Sequence, residues 1–140
     1  MFATRHRPVA AVCFLALCTT AVQAAPPTPE EVVRAYADAA NRHDVDAVLA
    51  LYAPDVRKYR FPGALASEGR ESNRDKYRRN FAENPDLKVK ILGMSVLADK
   101  VVSHDLVTGL AGGKTSEEIA VYQVENGLIT HIVYVERSLR

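Results

Sequence analysis

From Leu87 onward the chain alternates apolar and polar residues, and three two-residue turn signals divide that alternation: Asp99-Lys100, Gly112-Gly113 and Asn126-Gly127. Turns this short join neighbouring antiparallel strands, and Asn-Gly supplies the positive-φ residues that the tightest hairpins need. The C-terminal half is therefore predicted to be an antiparallel sheet. Leu87, Val89 and Ile91 fall on odd positions, whereas Met94, Val96 and Ala98 fall on even ones, so the side-chain phase slips once near Gly93. A β-bulge there would bend the sheet sharply.

The N-terminal half reads differently. Thr28, Pro29 and Glu31 form a capping box with proline at the first helical position, and Val32, Val33, Tyr36, Ala39 and Ala40 recur on one face. Asn41-Arg42-His43 breaks that pattern, and Asp44 caps a second short helix, with Val48, Leu49 and Tyr52 inward until Pro54 stops it. Residues 55–61 alternate aromatic and charged side chains as a strand, ended by Pro62-Gly63, and 64–69 form a loop or short return strand. Arg70 to Ala82 is a third helix with Tyr77 and Phe81 as its buried stripe. The basic run Arg70, Arg74, Lys76, Arg78, Arg79 is interrupted by acids and reads as a solvated face.

Counting outward from the three turns sets an expected register. Tyr122 then meets His131, Ala120 meets Val133, Asp105 meets Ala120 and Ser103 meets Tyr122. One face would carry Ser103, Asp105, Val107, Ala120, Tyr122, Val124, His131 and Val133. The other would carry Val102, His104, Leu106, Ile119, Val121, Ile132 and Tyr134. Both faces are mostly apolar, which a sheet covered on one side would not need; three helices can cover one, and a second copy of the chain could cover the other.

Residues 1–24 combine Arg5, His6 and Arg7, an apolar run from Val9 to Cys18, and Val22-Gln23-Ala24. This is the layout of a cleaved export signal, too short in its apolar run to span a membrane. Its removal turns the formal charge from +1 to −1, since 18 basic residues lose Arg5 and Arg7 and 17 acidic residues lose none. A nearly neutral domain, 25–140, is not a general polyanion binder, so neither nucleic acid nor membrane is an expected partner. Cys13 and Cys18 leave with the leader, so the exported domain, periplasmic or secreted, is held by its core alone.

Three helices before a bent sheet, with Asn41-Arg42-His43-Asp44 after the first helix and Ala50-Leu51-Tyr52-Ala53-Pro54-Asp55 leading into the first strand, resemble the SnoaL-like branch of the nuclear-transport-factor-2-like superfamily. Tyr59-Arg60-Phe61-Pro62-Gly63, Phe81-Ala82-Glu83-Asn84-Pro85-Asp86 and Glu125-Asn126-Gly127 fit it too. The likeness covers residues 29–137. It implies an α+β cone in which a strongly curved antiparallel sheet wraps three N-terminal helices around an apolar cavity. Its members include ketosteroid isomerase, cyclases, an epoxide hydrolase and non-catalytic carriers, so the fold does not decide the function.

The isomerase uses a helix Tyr, an Asp base and a second, protonated Asp. The resemblance places these on Tyr36, Arg60 and Ala120, so one role of three survives and that mechanism is not expected. It also turns the Asp105 and His131 face toward the cavity. Asp105 and His131 are then the acid-base candidates, because a His beside a carboxylate titrates near neutral pH. Tyr36, Tyr122 and Arg60 are the ligand-binding candidates, the first two on the cavity wall and Arg60 at its mouth, where it could clamp an anion. Beside each stands a bland reading: Tyr36 as a core residue, Arg60 as a solvated charge beside Arg57 and Lys58, and Asp105 and His131 as a structural polar pair.

The histidines show no His-x-His or His-x-x-x-His spacing, and no phosphate loop, nucleophile elbow or cysteine remains after the leader. No metal or cofactor is expected. The sequence thus points to an exported, homodimeric domain with a pocket for a small apolar ligand. The alternative is an acid-base enzyme (isomerase, cyclase or hydrolase) acting on an apolar carbonyl- or epoxide-bearing substrate. A third is an interaction module whose cavity is filled by its own side chains.

Overall fold

The computed structural model describes residues 25–140. The leader read at 1–24, with Cys13 and Cys18, lies outside the described residues. Helix α1 (Pro29–Asn41) starts at the expected capping box, with Thr28 and Glu31 each bonded to the other's backbone N–H. Helix α2 (Val45–Ala50) is capped by Asp44. It ends before Tyr52, which opens strand β1 (Tyr52–Arg60) instead of closing the helix as expected. Pro54 sits exposed in that strand, where its missing N–H costs no buried bond. Strand β2 (Ala64–Glu68) returns along β1, and helix α3 (Arg70–Glu83) comes next.

The remainder is β3 (Lys88–Leu97), β4 (Lys100–Leu110), a single 3-10 turn (Ala111–Gly113), β5 (Lys114–Glu125) and β6 (Leu128–Leu139). The six strands form one sheet in the order β2-β1-β6-β5-β4-β3, antiparallel except where β1 runs parallel to β6. The helices lie on one side, and the core between the layers includes Val32, Val33, Val48, Leu49, Tyr52, Val56, Val101, Ile129 and Ile132. Each such aliphatic side chain contributes about 1.5–3 kcal/mol by leaving water. Asn41 ties α1 to the sheet: its carboxamide accepts from Val89 N–H at 2.6 Å and donates to Val89 C=O at 2.9 Å. His43 beside it bonds Leu87 C=O and stacks on Phe81.

The bulge expected near Gly93 is present between Ile91 and Gly93. Asn126-Gly127 is a two-residue turn with both φ positive, 51° and 77°. The other two turns differ from expectation. The β3–β4 turn is Ala98-Asp99, which pairs Leu97 with Lys100, and the β4–β5 connection takes three residues, which pairs Leu110 with Lys114. The three-residue loop moves the register by one and a bulge between Val107 and Leu110 moves it by one more, so Ser103 faces Ala120, not Tyr122, and Asp105 faces Glu118, not Ala120. A shift of two residues leaves every side chain on its expected face.

Strand β6 does not keep its expected face. Val124 pairs with Ile129 but Gln123 pairs with His131, so Thr130 is an extra residue. This bulge reverses the phase of the strand beyond it: Tyr122 pairs with Ile132 and Ala120 with Tyr134. Ile132 and Tyr134 turn toward the helices, and His131 and Val133 turn away. A second bulge at Val135 pairs Glu118 with Arg137.

Gly109 fixes how the α3–β3 connection lies on β4. Its φ is +70°, and a Cβ there would stand 2.0 Å from the carbonyl oxygen of Asp86, a backbone atom that cannot rotate away. Gly109→Ala is expected to lower stability by about 3 kcal/mol or more, read from the denaturant midpoint; a loss below about 1 kcal/mol would show that this junction yields freely.

Candidate functional site

The phase of β6 and the three helices bring five of the six tyrosines to the helix-facing side of the sheet: Tyr36 from α1, Tyr52 from β1, Tyr77 from α3, Tyr122 from β5 and Tyr134 from β6. The hydroxyl of Tyr77 is the hub. It lies 2.7 Å from Tyr36 Oη, 2.5 Å from Tyr52 Oη and 2.8 Å from Lys58 Nζ. The Tyr36 ring packs on Tyr52 and Tyr122 at centroid distances of 5.9 and 5.8 Å. Tyr36, Tyr77 and Tyr134 each keep part of their surface in solvent, so the cluster reaches the exterior.

Lys58 is buried, 7% exposed, although Arg57 and Tyr59 on either side point away from the helices. Its ammonium group stands over the rings of Tyr52 and Tyr77 at 4.8 and 4.6 Å. Burial pulls the amine down to about 7, and the charge of Lys76 acts in the same direction. The ring faces favour the cation and oppose that shift. Burial also raises Tyr36, Tyr52, Tyr77, Tyr122 and Tyr134 above the ordinary phenol range. The phenols consequently stay protonated at physiological pH and act as hydrogen-bond donors rather than bases.

Asp105 is on the same side, 6% exposed, and accepts a 2.5 Å hydrogen bond from Ser103 Oγ. Burial raises its pKa, the Ser103 bond lowers it, and the charge of Glu118 on the paired strand raises it. Glu118 is held by Arg137 Nε at 2.5 Å and Ser116 Oγ at 3.0 Å. Tyr122 lies within electrostatic reach of Asp105, linking the carboxylates to the phenols.

The expected site is thus divided. Tyr36, Tyr122 and Asp105 share the helix-facing side. His131 is on the opposite face, paired with Gln123 and stacked on Tyr59 at 6.3 Å. The expected convergence of Asp105 and His131 on one ligand does not occur, because the Thr130 bulge separates them. Arg60 is exposed at the end of β1, in phase with Lys58. Lys58 and Tyr77 were missed as site residues: Lys58 merged into a charged run, and Tyr77 read as core. Alternation from Val56 was the available signal, since it turns Lys58 inward. Among the described residues, His43, His104 and His131 lie on different elements, each with its own partner.

The depressed Lys58 value carries a sign. A folded-state pKa below the unfolded one adds stability that is present above about 10.5 and lost as pH falls through about 7. Lowering the pH from about 10 to about 7 should therefore destabilise the protein by roughly a few kcal/mol relative to Lys58→Met. Denaturation at both pH values checks this, and parallel behaviour of the two proteins would show that Lys58 is not shifted.

Comparison with known proteins agrees with the fold. The SnoaL-like domain model matches residues 33–132. No curated protein matches the chain. Among solved structures, an uncharacterized cystatin fold protein from Novosphingobium aromaticivorans is 22% identical, covers 79% of this chain and 99% of its own, and superposes with a TM-score of 0.72. A computationally designed 17-OHP binder is 18% identical, with coverage of 81% and 98% and a TM-score of 0.67. A protein from Catenulispora acidiphila with a ketosteroid isomerase-like fold, in complex with trimethylamine, is 23% identical, with coverage of 79% and 87% and a TM-score of 0.66. With a family model spanning most of the described residues and helices packed on a bent sheet in the family's order, the chain belongs to the SnoaL-like domain family.

Proposed function

We propose that this chain is an exported small-molecule-binding domain whose ligand is an apolar compound bearing a carbonyl or hydroxyl oxygen. One observation carries the reading: tyrosines from five separate elements meet on the helix-facing side of the sheet, with two hydroxyls and one amine bonded to the hydroxyl of Tyr77. Apolar walls with a few fixed polar groups are what a small-molecule site requires. The designed 17-OHP binder and the trimethylamine complex support the use of this fold for small ligands.

A second reading has its own support. Asp105, buried with its pKa raised and paired across the strands with Glu118, has the setting of an acid-base group. It would serve an isomerase, cyclase or hydrolase acting on a carbonyl- or epoxide-bearing substrate, without His131.

The opposite face of the sheet supports a homodimer. Val102 and Ile119 are exposed there and Leu106, Val121 and Val133 half-buried, an apolar surface that a second copy would cover. Ile132 and Tyr134, expected on that face, belong to the interior.

Native mass spectrometry of protein from the exported fraction of its own host tests all three elements. The expected species is a dimer of chains beginning at Ala25 that carries a co-purified organic molecule. An intact Met1, a monomer or an empty chain would each remove the corresponding element. Where a ligand is found, Tyr36→Phe should weaken its binding by up to about tenfold, the size of one lost hydrogen bond; unchanged affinity would place the ligand elsewhere.

A further inference from the structure

We propose that Lys58 is a nucleophile that forms an imine with an aldehyde or ketone held among the phenols; this rests on the reading of the helix-facing side as a ligand site. A buried lysine is ordinarily paired with a carboxylate. Lys58 is not: its hydrogen-bond partner is the Tyr77 hydroxyl, and no carboxylate contributes to its electrostatics. Its cross-strand partners are Ser67 on β2 and Ile132 on β6. The titratable groups that face it are Tyr52 on its own strand and Tyr77 and Lys76 on α3.

Burial without a carboxylate favours the neutral amine, and the phenols around Tyr77 can satisfy either charge state. If Lys58 is an ammonium it donates to Tyr77 Oη, which then accepts from Tyr52 and donates to Tyr36, whose own hydrogen goes on to Tyr134. If Lys58 is neutral, Tyr36 and Tyr52 both donate to Tyr77, and Tyr77 donates to the lone pair of Lys58. In that state the Tyr77 O–H points at the amine nitrogen, where it can serve as the proton donor. A desolvated amine beside another cation, with values near 7, is the state in which lysine attacks carbonyls.

The step balances without any further reactant. The Lys58 lone pair forms a bond to the carbonyl carbon, and the π pair moves to oxygen, which takes a proton from Tyr77 while the new ammonium returns one to it. The carbinolamine then loses its hydroxyl as water, Tyr77 supplying the proton, and the nitrogen lone pair forms the C=N bond. The amine's second proton goes back to Tyr77. Amine and carbonyl become imine and water, with no change of oxidation state.

The test is reductive trapping. The exported-length protein is incubated at about pH 7 with 2-naphthaldehyde and sodium cyanoborohydride, and the adducts are located by peptide mapping, which separates Lys58 from the N-terminal amine and the five other lysines after the leader. Lys58 is expected to label at least about tenfold faster than Lys76, Lys88, Lys90, Lys100 or Lys114, because ordinary lysines near 10.4 are almost wholly protonated. Its rate should rise through about pH 7 and level off while theirs continue to climb. Even labelling of all lysines, or none at Lys58, overturns the proposal; mapping the wild-type chain decides this even if Lys58→Met fails to fold. Calorimetry with 2-naphthol separates the two ideas: naphthol bound without a Lys58 adduct defeats the imine and leaves the binding site standing, whereas neither event defeats both.

Discussion

The interior of this protein depends on the phase of its last strand. Strand β6 lies between β1 and β5, so whichever of its side chains face the helices complete the core for both neighbours. The extra residue Thr130 gives that position to Ile132 and Tyr134, and Ile132 becomes wholly buried. Without the bulge, His131 and Val133 would occupy those positions, placing an imidazole against Tyr122 and removing Tyr134 from the phenol group. One residue thus chooses between an acid-base interior and a phenolic one.

The interior so formed is more polar than a core built only for stability. Ser103, Asp105, Ser116, Asn73 and Lys58 are all buried. Several are satisfied locally: Ser67 Oγ donates to Asn73, Ser103 to Asp105 and Ser116 to Glu118. Bonded groups of this kind cost little. An amine facing ring faces and a single phenol is different, since removing a charge from water without a counter-ion is expensive. Apolar replacements at such a position are often neutral or stabilising, which makes the lysine more readily understood through its chemistry than through the stability of the domain.

Much of the architecture was legible in the sequence because local signals carried it. The Thr28 box, the Asp44 cap, the Asn126-Gly127 turn and the phase slip near Gly93 are each written in two to four adjacent residues and recur in the structure. The turns at Ala98-Asp99 and Ala111–Gly113 were displaced because Ala98 takes a positive φ that alanine seldom adopts and because the glycine pair sits in a three-residue loop. Together with the bulge between Val107 and Leu110, these differences moved pairings by two and spared the faces. The bulge at Thr130 has no glycine to mark it, so its single-residue shift was invisible and cost the site its imidazole. Lys58 escaped notice for another reason: a lysine between Arg57 and Tyr59 is charged by composition, and the alternation from Val56 that turns it inward is only two residues long there.

The parallel pairing of β1 with β6 also governs when the molecule can come together. Strand β1 begins at Tyr52 and its partner at Leu128, so one edge of β1 has no strand to bond with until nearly the whole chain exists. Val56 and Lys58, both on that strand, gain their permanent surroundings only at that moment. Closing so long a loop is slow compared with forming hairpins or helices. The β3–β4 and β4–β5 hairpins can form from neighbours alone, whereas the cradle holding Lys58 closes only when β6 pairs with β1, so the amine stays in water until that long-range pairing is made.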